Sequence, residues 1–321
     1  MPLPIAPVLG MLADNLKMRG SVLPLGKKKA VGWARGLDLP RGGETVLYTG
    51  HLYQLMPSIA ALEKMLITFE DSWLNKFTAT GRAVNKLLNI SGLMALEKKK
   101  DRESCEGRLV NIVGLLRAAK VEFGYLYEEE LYSGALIHDE GLDAIFADHA
   151  RRIADVFRRN EVKNVITVDP HTTNILRSVF PEVVPDLKLN VRSYLEVLAA
   201  DPPEPKRQLD VDLVIHDSCI YARHEGMVDE PRLLLERAGA RLHDPESARR
   251  RTLCCGGPIE SLFPSRAHSI CKRRLAELGA VGDHVAAMCP ICLLNLERTA
   301  ESEKLDISVR DINEYLAEAY C

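Results

Sequence analysis

VKNVITVDPHTTNIL (162–176) and GDHVAAMCPICLLNL (282–296) follow one pattern. Laid together, Pro170 falls on Pro290 and Leu176 on Leu296. Asp169 then stands where Cys289 is, and Thr172 where Cys292 is. In both, a β-branched or apolar run stops at a proline turn and a helical pattern begins.

A second pair lies upstream of each. ETVLYTGHLYQLMP (44–57) and VDLVIHDSCIYARHEG (211–226) are apolar strand runs that enter a turn and then a helical stretch. Strands alternating with helices imply βαβ units and mainly parallel sheets. The sequence therefore predicts an α/β protein of two pseudo-duplicated units. The expected organisation is an N-terminal extension (1–43), a first unit (44–200) with an insertion at 66–106, and a second unit (210–321). The link falls near 200–209, where prolines crowd among charges in AADPPEPKRQ. Within the insertion, GRAVNKLLNISGLMALEKKKDRE spaces Val84, Leu87 and Leu88 as a helix does. It reads as a packed helix with a solvated end; a helix that docks on a partner subunit or a membrane surface is the alternative.

The chain has 321 residues, 46% hydrophobic and 27% charged, with a formal net charge of −3. This is ordinary globular composition, and it favours neither nucleic acid nor an anionic membrane as partner. No apolar run approaches the roughly 20 residues that span a bilayer. MPLPIAPVLGMLADN lacks the basic start of a signal peptide, so the chain is read as cytoplasmic. Eight cysteines in a reducing compartment argue for metal or redox chemistry rather than disulfides.

Five of them form a series in the second unit. Cys219 is followed after 34 residues by the vicinal pair Cys254 and Cys255, and after 33 more by Cys289 and Cys292. Each lies at a turn, and loops after parallel strands gather at one sheet edge. The glycines Gly256 and Gly257 let backbone approach a cluster and offer it N–H groups. One structural zinc takes four ligands and leaves a thiol over. Five thiolates suit an iron–sulfur cluster better.

The series resembles the cysteine-rich, or CCG, domain of the heterodisulfide reductase B-type subunits and their relatives, among them the C subunit of anaerobic glycerol-3-phosphate dehydrogenase. HDSCIYARHEGMVDEPR, LCCGG and CPICLLNL look like the family's three cysteine segments. DPHTTNILRSVFPEV looks like the family's CPHCFNTLKNEYP segment with both cysteines replaced.

The resemblance implies that Cys219, Cys254, Cys255, Cys289 and Cys292 hold one [4Fe-4S] cluster, and five ligands favour the non-cubane form. It also implies an empty first unit. There His51 takes the place of the first cysteine, the vicinal pair falls near Leu131, Tyr132 and Ser133, and Asp169 and Thr172 replace the last two. His51, Asp169 and His171 could bind another metal, or the unit is kept for packing. Family members that cleave disulfides do so between two clusters. A single cluster therefore favours electron transfer.

No GxGxxG, P-loop or ferredoxin cysteine run is present, so neither flavin nor NAD is expected on this chain. A flavoprotein or a ferredoxin-type iron–sulfur subunit is the expected partner, with peripheral membrane attachment through such partners left open. His216, Asp217 and His224 are expected near the thiols, tuning the site or holding its turn. Cys271 is expected in a packed helix, Cys105 exposed among charges, and Cys321 mobile. Two readings compete with electron transfer: a disulfide or thiol reductase, and a zinc-binding scaffold without activity.

Overall fold

The computed structural model describes residues 5–70 and 97–321. Its strands form two four-stranded sheets, parallel throughout. The first contains β1 (Thr45–Tyr48), β2 (Gly124–Tyr125), β3 (Asn164–Thr167) and β4 (Asn190–Ser193), in the order β2-β1-β3-β4. The second contains β5 (Asp212–His216), β6 (Arg241–His243), β7 (His284–Ala287) and β8 (Ser308–Asp311), in the order β6-β5-β7-β8. The topology is the same twice, as the repeated segments predict.

The repeat is local as well. β3 and β7 each end three residues before a proline, and Pro170 and Pro290 each occupy the first turn of the helix that follows. Proline suits that turn because its missing N–H has no helical partner there. At the far edge, β4 and β8 each run into a capping box. Ser193 and Glu196 cap the helix Tyr194–Ala200, and Asp311 and Glu314 cap the helix Ile312–Tyr320.

The two sheets share a core. One hydrophobic cluster takes Leu47, Tyr125 and Ile166 from the first sheet and Leu213, Ile215 and Ala286 from the second. Polar contacts also cross between the halves. Tyr53 OH donates to Asp311 at 2.6 Å, and Arg177 pairs with Glu225 at 2.9 Å. The N-terminal segment is built in: Leu12, Leu16, Val22 and Leu23 are buried against the first half's outer core.

The helix pattern at Val84, Leu87 and Leu88 lies outside the described residues. The helix Lys99–Ala118 overturns the expectation for Cys105, which is buried. Cys105, Arg108, Leu109, Ile112, Val113 and Leu116 recur at three- and four-residue steps and face inward. The charges beside Cys105 in the sequence lie on the other faces. No described helix is long and apolar enough to cross a membrane.

Candidate metal centre

Parallel strands bring their carboxyl ends to one edge. Cys219 lies just past β5, Cys254 and Cys255 in the loop that leads away from β6, and Cys289 caps the helix Pro290–Ser302 after β7. Cys292 is in that helix's first turn. The five sulfurs form one unbroken chain of contacts. Cys254 touches Cys219 and Cys255, Cys255 touches Cys292, and Cys292 touches Cys289. The Cys255–Cys292 separation is 3.1 Å. No cysteine pair is bridged. Cys255, Cys289 and Cys292 are buried, whereas Cys219 and Cys254 are half-buried, so the chain of sulfurs opens outward at that end.

The thiols do not ionise alike. Hydrogen bonds from Cys219 and Cys255, with the Gly256 N–H at 3.3 Å, hold the Cys254 thiol far below its ordinary range. Burial opposes ionisation of Cys289, but Cys292 and His171 outweigh it and hold that thiol low as well. Cys219, Cys255 and Cys292, which donate to these two thiolates, are pushed up. Among the five neighbouring thiols the protein's own groups favour the thiolate at Cys254 and Cys289 and disfavour it at the other three. A multivalent cationic centre would let all five ionise. The donor set therefore fits an iron–sulfur cluster.

The loop carrying the vicinal pair depends on its glycines. Gly256 has φ +88°, and a Cβ there would lie 2.5 Å from the Ala267 carbonyl oxygen. At Gly257 a Cβ would lie 2.3 Å from Ile291 Cγ2, so the segment presses directly onto the Cys289–Cys292 turn.

Of the surrounding residues, His216 is buried at the end of β5, and burial with nearby Arg274 pushes its ring down to about 3. Asp217 holds the turn: Arg232 grips it at 2.7 and 3.0 Å, and Arg249 N donates to it at 2.6 Å. His224 is exposed, while its neighbours Arg223 and Glu225 carry the bonds of that segment. Cys271 is buried beneath the site in one apolar cluster with Cys255, Cys289 and Cys292. Cys321 is exposed.

The first half reaches into the centre. His171 follows Pro170 in the first unit, yet its ring bonds Cys289. Burial works against its charge, but Asp139, 3.1 Å from its Nδ1, and Cys289 hold it protonated. The sequence leaves two readings for His51, Asp169 and His171, another metal or a unit kept for packing, and His171 turns to the second half instead of joining the other two in a ligand group. Among the described residues, the one group of three or more His, Cys, Asp or Glu ligand atoms within 4.8 Å of one another is His216, Cys255 and Cys292.

The equivalent first-half position is filled by the protein's own groups. Thr172 Oγ1 lies 2.3 Å from where a Gly50 Cβ would stand, and Ser133 Cβ lies 3.1 Å from the same point. His51 is held at φ +60° beside Glu130, 3.4 Å from its Nε2. Glu130 also accepts from Thr49 Oγ1 at 2.9 Å and Tyr125 OH at 2.7 Å. Asp169 caps its helix by accepting from Thr172 N at 2.9 Å, and burial pushes its carboxyl up to about 6. Glu130 and Arg274 escaped the sequence reading because each sits in a charged run that reads as solvated.

Residues 213–297 match the cysteine-rich domain family, CCG. The chain is 28% identical over 220 residues to a probable iron-sulfur-binding oxidoreductase, FadF, of Bacillus subtilis, covering 65% of this chain and 31% of that protein. It is 33% identical over 149 residues to an EtfAB:quinone oxidoreductase of Syntrophomonas wolfei, covering 45% and 21%. It is 25% identical over 217 residues to the D-type subunit of the dihydromethanophenazine:CoB--CoM heterodisulfide reductase of Methanosarcina mazei, covering 64% and 53%. The chain thus spans about a third or less of the first two and about half of the third.

Proposed function

We propose that this chain, whose second half carries a CCG cysteine-rich domain, is the iron–sulfur electron-transfer part of a multi-subunit oxidoreductase. The observation that carries the reading is the unbroken contact of five sulfurs at one sheet edge, of which only Cys254 and Cys289 are held low. Cys219, Cys254, Cys255, Cys289 and Cys292 would ligate one [4Fe-4S] cluster, non-cubane by ligand number. When bound, such a cluster supplies one-electron transfer.

The protein's own groups set the terms. Gly256 offers its N–H to Cys254. His171, oriented by Asp139, offers a proton at Cys289. Burial of Cys255, Cys289 and Cys292 keeps water from the inner face, and the half-buried edge at Cys219 and Cys254 is where a redox partner would come close. In the first half Thr172 and Ser133 crowd Gly50, and no cysteine stands at positions 51, 131–133, 169 or 172, so this chain offers thiols for one cluster. That argues against disulfide cleavage between two clusters and for electron transfer. The expected partner is a flavoprotein or a ferredoxin-type subunit, in keeping with relatives named as quinone oxidoreductase and heterodisulfide reductase.

The test is iron and acid-labile sulfide content with EPR on anaerobically purified protein, beside Cys255→Ser. About four irons and four sulfides, lost in the variant, support the reading. Stoichiometric zinc without sulfide overturns it and leaves a structural metal domain.

A further inference from the structure

His216 stands with Cys255 and Cys292 in a group whose ligand atoms lie within 4.8 Å of one another, so on distance it is a candidate metal ligand. Its other ring nitrogen argues otherwise. Arg274 Nε donates to His216 Nδ1 at 3.1 Å. A guanidinium has donors and no acceptor. Nδ1 must therefore present its lone pair to Arg274, and the proton of the neutral ring sits on Nε2. A histidine that ligates a metal does the reverse: it gives its outer N–H to a carboxylate or carbonyl and turns a bare nitrogen to the ion.

Arg274 cannot easily yield. It is fully buried and donates as well to Ser247 O at 2.9 Å, Glu277 Oε2 at 2.7 Å and Thr252 Oγ1 at 3.4 Å. His216 Nε2 is buried and has no hydrogen-bond partner within the protein. The fold does not require histidine here. The strand registers place Tyr48 at the same position in the first sheet, opposite Thr167 as His216 is opposite Ala287. Tyr48 sends its hydroxyl to Leu131 O at 2.7 Å.

We propose that His216 is not an iron ligand but a hydrogen-bond donor, which Arg274 orients so that Nε2–H points at the sulfur of the centre beside Cys255 and Cys292. This rests on the metal–sulfur reading above. His216 and Arg274 are positioning residues. A donor on sulfur stabilises the more negative, reduced form of a cluster and raises its potential.

The first measurement needs no mutation, because loss of buried Arg274 would endanger the fold. Nitrogen-15 NMR of the metal-free, reduced protein reads the His216 tautomer, and the Nε2–H form is expected. An Nδ1–H form overturns the proposal. In reconstituted protein, His216→Leu should keep wild-type iron and sulfide, with a midpoint potential shifted negative, and His216→Gln, which retains a donor, should shift back. Loss of iron in both variants makes His216 a ligand and overturns the proposal, as does an unmoved potential in His216→Leu. A wild-type protein that takes up no iron sinks the electron-transfer reading on separate grounds, and the tautomer still decides the Arg274–His216 geometry.

Discussion

The turn after β3 and the turn after β7 have the same backbone plan and opposite contents. Each leaves its strand, passes a capping residue and enters a helix at proline. In the first, the cap is Asp169, bonded to the helix it starts, and Thr172 packs on Gly50. In the second, the cap is Cys289 and its partner Cys292, both turned into a chain of sulfurs. Oxygen groups satisfy themselves locally by hydrogen bonds and close the space. Five crowded thiols cannot, because each further thiolate raises the cost of the last. One site is self-sufficient and the other asks for a cation.

The sharpest way to break this comparison is to remove one thiol. Cys255→Ser should lose nearly all bound iron and sulfide, whereas Thr172→Ala should leave the loading unchanged; metal analysis of the two side by side decides it. Gly256→Ala comes next. A side chain at φ +88°, aimed 2.5 Å from a carbonyl oxygen, should cost about 3 kcal/mol or more. Urea unfolding of the metal-free protein measures it, and a cost below about 1 kcal/mol would show that the loop has another conformation.

The capping boxes supply a pH test. Ser193 is neutral, but at Asp311 burial pushes the carboxyl from 3.8 up to about 6. Between those values the folded state keeps a proton that the unfolded chain has released. Stability should therefore fall as pH rises from about 4 to about 6 and level off above, by at most about 3 kcal/mol. Asp311→Asn should flatten that slope in pH-dependent denaturation. The smallest effect is expected at His224, which is exposed. His224→Ala should change stability by no more than about 0.5 kcal/mol and leave the cluster's potential where it was.

How much of this was legible depended on how local the cause is. Pro170 and Pro290 mark strand ends because proline interrupts a ladder and suits a helix start, so the duplicated α/β plan could be read from two short segments. The cysteine spacing was legible because turns after parallel strands must meet. Cys105 was misread because a charged neighbourhood hides which helix face is packed. Arg274, in RAHSICKRRLAEL, looks like any surface arginine, and only its burial against His216 gives it a role. Glu130 is hidden in the same way within EEELYSGAL.

The sequence by itself determined the repeat, the parallel sheets and the five thiols as one group, since each follows from periodicity, turn residues and spacing along the chain. Tertiary structure alone decided that both sheets share a core and that Thr172 and Ser133 crowd Gly50 in the first half. It alone decided that His171 crosses to Cys289 and that Arg274 sets the tautomer of His216. These are contacts between segments far apart in sequence. Their energies come from burial and from the direction of each donor, and no pattern along the chain records either.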